Sequence, residues 1–118
     1  MALKFFKGFT YAFTGIQTAF RSQLNLKVHI LAVCVVCIFS WMLKVATTDF
    51  VIFLLLFSMV IASELFNTCV EEIANFIRDL HKLDYKATKN LRDMAAGAVL
   101  VNAIVATIIG LLIFAKYL

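Results

Sequence analysis

Three long apolar stretches separated by short polar segments dominate the pattern of residues along the chain. The first contains only Ser40 as a polar residue within residues 30–43, and the third is polar only at Asn102 and Thr107 over residues 94–115. The second is apolar in its first half and carries carboxylates in its second half. A helix needs roughly 17–25 residues to cross a bilayer, and each stretch with its flanks is long enough. We therefore predict an all-α membrane protein whose three transmembrane helices cover residues 28–46, 50–77 and 89–115.

The segment before the first span has an amphipathic pattern. Apolar residues recur every three or four positions over residues 4–22, which is the spacing of one helix face. The stripe is rich in aromatic rings and consists of Phe5, Phe9, Phe13, Ile16 and Phe20. A helix with such a stripe and basic residues on its other side lies in the membrane interface. We predict an interfacial helix here, and packing against the protein's own helices is the alternative.

Composition excludes an ordinary soluble enzyme. Of the 118 residues, 64% are hydrophobic and only 15% are charged, with a mean hydropathy of +0.98. So few charges cannot coat the surface of a soluble monomer, whereas lipid contact removes that need. The chain has no proline and shows no internal repeat, so we treat residues 1–118 as a single domain. The net charge of +4 is explained by membrane topology, and no nucleic-acid partner is predicted.

The basic residues predict the orientation, because positive charge favours the cytoplasmic side of a membrane. Two segments carry most of them: the one before the first span and the one between the second and third spans. The segment between the first two spans carries only Lys44, and the C-terminus only Lys116. The N-terminus and any site at the basic segments are therefore predicted to be cytoplasmic, and the C-terminus is predicted to lie outside. The basic residues of the two rich segments are Lys4, Lys7, Arg21, Lys27, Arg78, Lys82, Lys86, Lys89 and Arg92.

One polar stripe stands out on the second predicted helix. Glu64, Asn67, Glu71 and Asn75 are spaced by three, four and four residues, which places them on one narrow helix face. Carboxylates within a span are costly and usually face a bundle interior or an aqueous cavity. Two of them offer hard oxygen ligands for Mg²⁺ and a base for proton abstraction. The alternative is a stripe that only joins helices through hydrogen bonds, and the spacing itself does not name a reaction.

A second cluster opens the third span. Lys89 and Arg92 share a helix face beside Asp93 and are suited to binding phosphate. Ordinary basic flanking of a transmembrane helix is the alternative explanation. Asn102 lies across the helix from Asp93, so we expect it to bond a neighbouring helix.

Other residues that suggest chemistry have simpler explanations. Cys34 and Cys37 form a C-x-x-C without partner ligands and are interpreted as small apolar residues. His29 and His81 lie far apart, and an interfacial or hydrogen-bonding role is expected for each rather than metal ligation. The chain has no phosphate-binding glycine loop.

The two clusters together form motifs that resemble one family. E-L-F-N-T-C-V-E at residues 64–71, followed by R-D-M-A-A-G-A-V-L at residues 92–100, resembles the small bacterial integral-membrane diacylglycerol kinase and undecaprenol kinase family. The segments F-T-Y-A-F-T-G-I-Q-T-A-F at residues 9–20 and N-L-K-V-H at residues 25–29 look most like its undecaprenol kinase branch. The resemblance covers nearly the whole chain.

The resemblance implies an interfacial helix, three transmembrane helices and a homotrimer whose active sites are shared between subunits and use Mg-ATP. By position, Glu64 matches the general base and Asn67 an active-site amide. Glu71 matches a magnesium-ligating carboxylate. Arg92 and Asp93 match a basic and acidic pair at the nucleotide phosphates, and we group Lys89 with Arg92 as a phosphate-binding residue.

Three positions depart from the family pattern. The family usually has a glutamate, a second metal ligand, where this chain has Gln23, which we keep as a nucleotide-side residue. It usually has lysine at Arg92, where the charge is retained, and aspartate at Asn75.

We interpret the chain as a lipid kinase of the bacterial cytoplasmic membrane. It is expected to transfer the γ-phosphoryl group of ATP to a lipid hydroxyl, with undecaprenol preferred and diacylglycerol second. The alternative is a catalytically weak or non-enzymatic relative that binds lipid or nucleotide, and the uncharged Gln23 favours it.

Overall fold

The computed structural model describes all 118 residues, and every regular element is helical. Three of the helices are long and apolar enough to cross a membrane, which confirms the predicted all-α protein with three spans. A short 3-10 helix at Tyr85–Thr88 precedes the last of them. The α-helices are α1 at Ala2–Ser22, α2 at Leu24–Met42, α3 at Thr47–Leu80 and α4 at Lys89–Ala115.

The first span is displaced toward the N-terminus relative to the predicted range 28–46. It starts directly after Gln23, whose extended backbone (φ −115°, ψ 114°) separates α1 from α2. It ends at Met42 because Lys44 takes a left-handed conformation with φ 52°, and the next N–H, of Val45, donates to the Ser40 carbonyl at 3.0 Å. This terminal bond closes the helix although Val45 and Ala46, just beyond it, are apolar.

Helix α3 is longer than a membrane is thick. Its 34 residues span about 50 Å, whereas the hydrocarbon core is about 30 Å thick. The helix extends beyond the predicted range 50–77 by three residues at each end. One continuous helix thus joins the apolar half of the span to the half that carries the polar stripe.

The other two spanning helices, α2 and α4, both pack against α3. Phe53, which is 2% exposed, stacks on Phe57 with 6.1 Å between ring centroids and lies 5.1 Å from the ring of Phe114 in α4. The Asn102 side chain donates to the Met59 carbonyl at 3.3 Å, so it joins α4 to α3 as expected. Only 14 of the 118 residues are buried, so most apolar side chains of the spans face outward, where lipid would surround them.

A polar cluster closes the end of the bundle remote from the stripe. Asp49 is buried and accepts hydrogen bonds from Lys116 Nζ at 2.8 Å and from the Tyr117 hydroxyl at 2.6 Å. The same hydroxyl accepts from the Ala46 N–H at 2.8 Å. The bond to Asp49 raises the pKa of Lys116 above its ordinary value of 10.5. The stabilising effect of this ammonium is therefore complete at neutral pH, and is lost only as the pH rises through the raised pKa.

Helix α1 stays apart from the bundle along most of its length. Every residue of it except Ala19 is exposed, and the aromatic stripe includes Phe5 at 66% and Phe13 at 70% exposure. The stripe is therefore not packed against the protein's own helices, and its apolar face is free to meet lipid.

Candidate active site

The polar stripe of α3 is built as the helical spacing predicts, and its first half is buried. Glu64 is 1% exposed and Asn67 is 4% exposed, while Glu71 is half-buried. The Asn67 amide donates to Glu71 Oε1 at 3.3 Å. Two buried oxygens, Glu64 Oε1 and Asn67 Oδ1, have no hydrogen-bond partner within the chain. Such groups are costly in an apolar setting, so these oxygens are placed to receive a hydrogen-bond donor or a cation.

The stripe lies at a defined depth along α3. Glu64 is about 26 Å along the helix from Thr47, and Glu71 about 10 Å further. With the apolar half of α3 placed across a core about 30 Å thick, Glu64 falls near one boundary of the hydrocarbon and Glu71 falls beyond it. The site can therefore meet a lipid head group and a water-soluble molecule together.

A histidine of α2 faces the stripe. His29 Nε2 lies 3.7 Å from Glu64 Oε2, and the histidine side chain is 22% exposed. The sequence suggested only an interfacial or hydrogen-bonding role for this residue. Its position in the first turns of a transmembrane helix was the one available signal, because nothing in the spacing connects it to Glu64.

Arg92 connects α4 to the far end of the stripe. Arg92 is 9% exposed, and its guanidinium donates from Nη2 to Asn75 Oδ1 at 2.8 Å and from Nε to Thr88 Oγ1 at 3.0 Å. It also lies 4.8 Å from the ring centre of Tyr85. Since a guanidinium has five donor hydrogens, donors remain for an anionic ligand.

Three of the predicted site residues form no hydrogen bond or ion pair with the stripe within one chain. Lys89 and Asp93 pair with each other one turn apart on α4, with both side chains 57% exposed. Gln23 is half-buried at the junction of α1 and α2, and its side chain makes no hydrogen bond. The single chain thus brings together Glu64, Asn67 and Glu71, and connects Arg92 to them through Asn75.

An apolar cavity of about 350 Å³ lies between α2, α3 and α4. Eleven of the fourteen residues around it are hydrophobic, among them Phe53, Val60 and Phe114. His29 also lines it, so the cavity starts beside the Glu64 carboxylate. Such an apolar lining is suited to binding a hydrocarbon chain.

Comparison with known proteins identifies the family. Residues 10–114 match the prokaryotic diacylglycerol kinase family. This chain belongs to that family. It is similar to the undecaprenol kinase of Bacillus subtilis (strain 168), at 39% identity over 111 residues that cover 94% of this chain and 88% of the relative. It is also similar to a diacylglycerol kinase of Synechocystis sp., at 32% identity over 104 residues.

The second alignment covers 86% of this chain and 57% of the relative, so the chain spans little more than half of that protein. No solved structure gives a significant match. Membership of the prokaryotic diacylglycerol kinase family confirms a multi-pass membrane protein of the lipid kinase class, as the sequence predicted. A kinase of this family uses ATP as the phosphoryl donor.

The oxygen atoms of the stripe are suitable ligands for a magnesium ion that enters the site together with a nucleotide. No three acidic, histidine or cysteine side chains of this chain lie close enough to enclose a metal ion by themselves. Mg²⁺ is usually bound by one or two carboxylates together with water and substrate phosphates. The half-buried Glu71 carboxylate and the unpartnered Asn67 Oδ1 are suitable oxygen ligands of that kind.

Proposed function

We propose that this diacylglycerol kinase family protein phosphorylates undecaprenol with ATP at the cytoplasmic surface of the membrane. The kinase chemistry is supported by one observation above all: the buried carboxylate of Glu64 has an unpartnered oxygen at the boundary between the apolar and polar halves of α3. The choice of acceptor is supported by the 39% identity to an undecaprenol kinase over 94% of the chain.

In the proposed reaction the oxygen of the lipid hydroxyl attacks the γ-phosphorus of ATP. A new bond forms between that oxygen and the γ-phosphorus, and the bond from the γ-phosphorus to the bridging oxygen breaks. ADP leaves with the electron pair of the broken bond. Glu64 Oε1 accepts the hydroxyl proton, since it is the oxygen of that carboxylate without a partner.

The remaining residues bind and position the nucleotide. Glu71, with Asn67 Oδ1, would hold Mg²⁺, which supplies positive charge to the phosphates when it is bound. Arg92 has free guanidinium donors for phosphate and is oriented by Asn75 and Thr88. Lys89 binds phosphate together with Arg92, and Asp93 is the acidic partner of these basic residues at the nucleotide phosphates. Gln23 offers a neutral oxygen on the nucleotide side.

A homotrimer with sites shared between subunits completes this arrangement. Glu71 is only half-buried in one chain, and Gln23, Lys89 and Asp93 form no hydrogen bond or ion pair with the stripe of the same chain. A neighbouring copy beside α3 would cover the half-buried Glu71 and supply these residues to its stripe. In a ring of three chains, the stripe of each chain has one neighbouring copy beside it.

The acceptor is tested with the purified protein in bilayer discs and labelled ATP. Undecaprenol and a diacylglycerol are compared at equal mole fraction with a sample without added lipid, and Glu64→Gln is the control with strongly reduced activity. We expect label in undecaprenyl phosphate, several-fold less in phosphatidic acid and none without lipid. Greater transfer to diacylglycerol would overturn the proposed acceptor, and no transfer to either lipid would overturn the proposed kinase activity.

A further inference from the structure

The two oxygens of the Glu64 carboxylate have different surroundings. Oε2 lies 3.7 Å from His29 Nε2, whereas Oε1 is buried without a partner. The nearby Asn67 amide donates to Glu71, and the Thr68 hydroxyl donates to the main-chain carbonyl of Glu64 at 3.0 Å. His29 is therefore the only basic side chain in contact with this carboxylate.

Neighbouring residues hold both members of this pair in place. His29 is in the second turn of α2, three residues after Leu26, which is fully buried. Glu64 is 1% exposed in the middle of α3. The contact therefore depends on how two spanning helices are rotated against each other, and not on flexible side chains at the surface.

We propose that His29 is a positioning residue for Glu64 in phosphoryl transfer. A hydrogen bond donated by its Nε2–H to Oε2 orients the carboxylate and leaves Oε1 toward the acceptor hydroxyl. The inference rests on the proposed role of Glu64 as proton acceptor. The 3.7 Å separation exceeds a hydrogen bond, and such contacts often shorten only when substrate is bound.

Two amide substitutions at position 29 separate this role from simple packing. The amide nitrogen of glutamine reaches the place of Nε2, whereas that of asparagine reaches only the place of Nδ1. Both side chains are polar and of similar chemistry, so they differ mainly in reach. His81→Asn is the matched control, because His81 is exposed at the end of α3 and its side chain forms no hydrogen bond or ion pair with the stripe.

We expect His29→Gln to keep most of the parental kcat and His29→Asn to lose about tenfold to a hundredfold, since small misplacement of a reacting group has effects of this size. KM for ATP should stay the same in both variants, and His81→Asn should match the parent. Equal kcat in the glutamine and asparagine variants would overturn the proposal. A thermal midpoint measured for each variant separates loss of folding from loss of positioning.

The decisive measurement is made in the Glu64→Gln background. If His29 acts through the Glu64 carboxylate, His29→Asn lowers kcat in the parent and has little further effect on the residual rate of Glu64→Gln. The same fold loss in both backgrounds would show that His29 acts elsewhere, and would refute the inference. Failure of the proposed function is a different result, in which the parent itself transfers no phosphoryl group to lipid.

Discussion

The connection between Asn75 and Arg92 allows a quantitative prediction, because it joins the last turns of α3 to the first turn of α4. Arg92 is 9% exposed. Its guanidinium donates to Asn75 Oδ1 at 2.8 Å and to Thr88 Oγ1 at 3.0 Å, and it lies over the ring of Tyr85. Asn75→Ala removes one acceptor from a buried charged donor. Arg92→Met keeps the apolar length of the side chain and removes all three interactions.

The expected magnitudes follow from these contacts. A hydrogen bond to a charged group contributes about 1.5–3 kcal/mol, and the boundary position of Asn75 favours the lower end, so Asn75→Ala should destabilise by about 1.5 kcal/mol. Arg92→Met loses two such bonds and a cation–π contact, together about 3–4 kcal/mol. The double variant should show a coupling energy of about 1.5 kcal/mol, because the Asn75 bond is lost only once.

The assay is reversible unfolding in mixed micelles for the parent, both single variants and the double variant. A second cycle on Lys89 and Asp93 is the control, since both side chains of that pair are 57% exposed and exposed pairs one turn apart couple weakly. The reasoning is refuted if the Asn75 and Arg92 cycle shows no more coupling than the control cycle.

Four further predictions concern single substitutions. Glu71→Gln should abolish magnesium-dependent phosphorylation while the protein still inserts, and near-normal turnover of the purified variant would exclude Glu71 as a metal ligand. Gln23→Glu should lower the magnesium concentration at half-maximal rate, because Mg²⁺ prefers anionic oxygen; an unchanged or higher requirement would place Gln23 outside the metal site. Tyr117→Phe removes the hydroxyl bonded to Asp49 and should lower the thermal midpoint at neutral pH without changing KM for ATP; an unchanged midpoint would show that the cluster is not stabilising. Lys82 has φ 52°, so Lys82→Gly should raise the free energy of unfolding by about 0.5–1 kcal/mol, whereas a decrease would contradict the strain argument.

Hydropathy alone was enough to predict the helical spans. A segment in lipid must satisfy its backbone hydrogen bonds internally, so a long apolar stretch has one available structure. The ends of the helices were less predictable. Helix α2 ends at Met42 because of the local conformation of Lys44, which hydropathy does not predict.

The polar stripe could also be read from the sequence, because its geometry belongs to one helix. The 3.6-residue period places Glu64, Asn67 and Glu71 on one face without reference to any other part of the chain. The family motif then suggests a role for each of them, although motif and period together do not show which oxygen atoms lack partners.

The contacts between helices were decided by the tertiary structure. Each of these contacts joins two different helices, or a helix and a terminus. They are the contacts of His29 with Glu64, of Arg92 with Asn75, and of Asp49 with Lys116 and Tyr117. They depend on the rotation and the membrane depth of each helix. Hydropathy predicts neither, because the apolar faces that contact lipid are as hydrophobic as the apolar faces that contact protein. The sequence by itself therefore determined the helices and the chemistry along each one, and only their packing determined which groups meet.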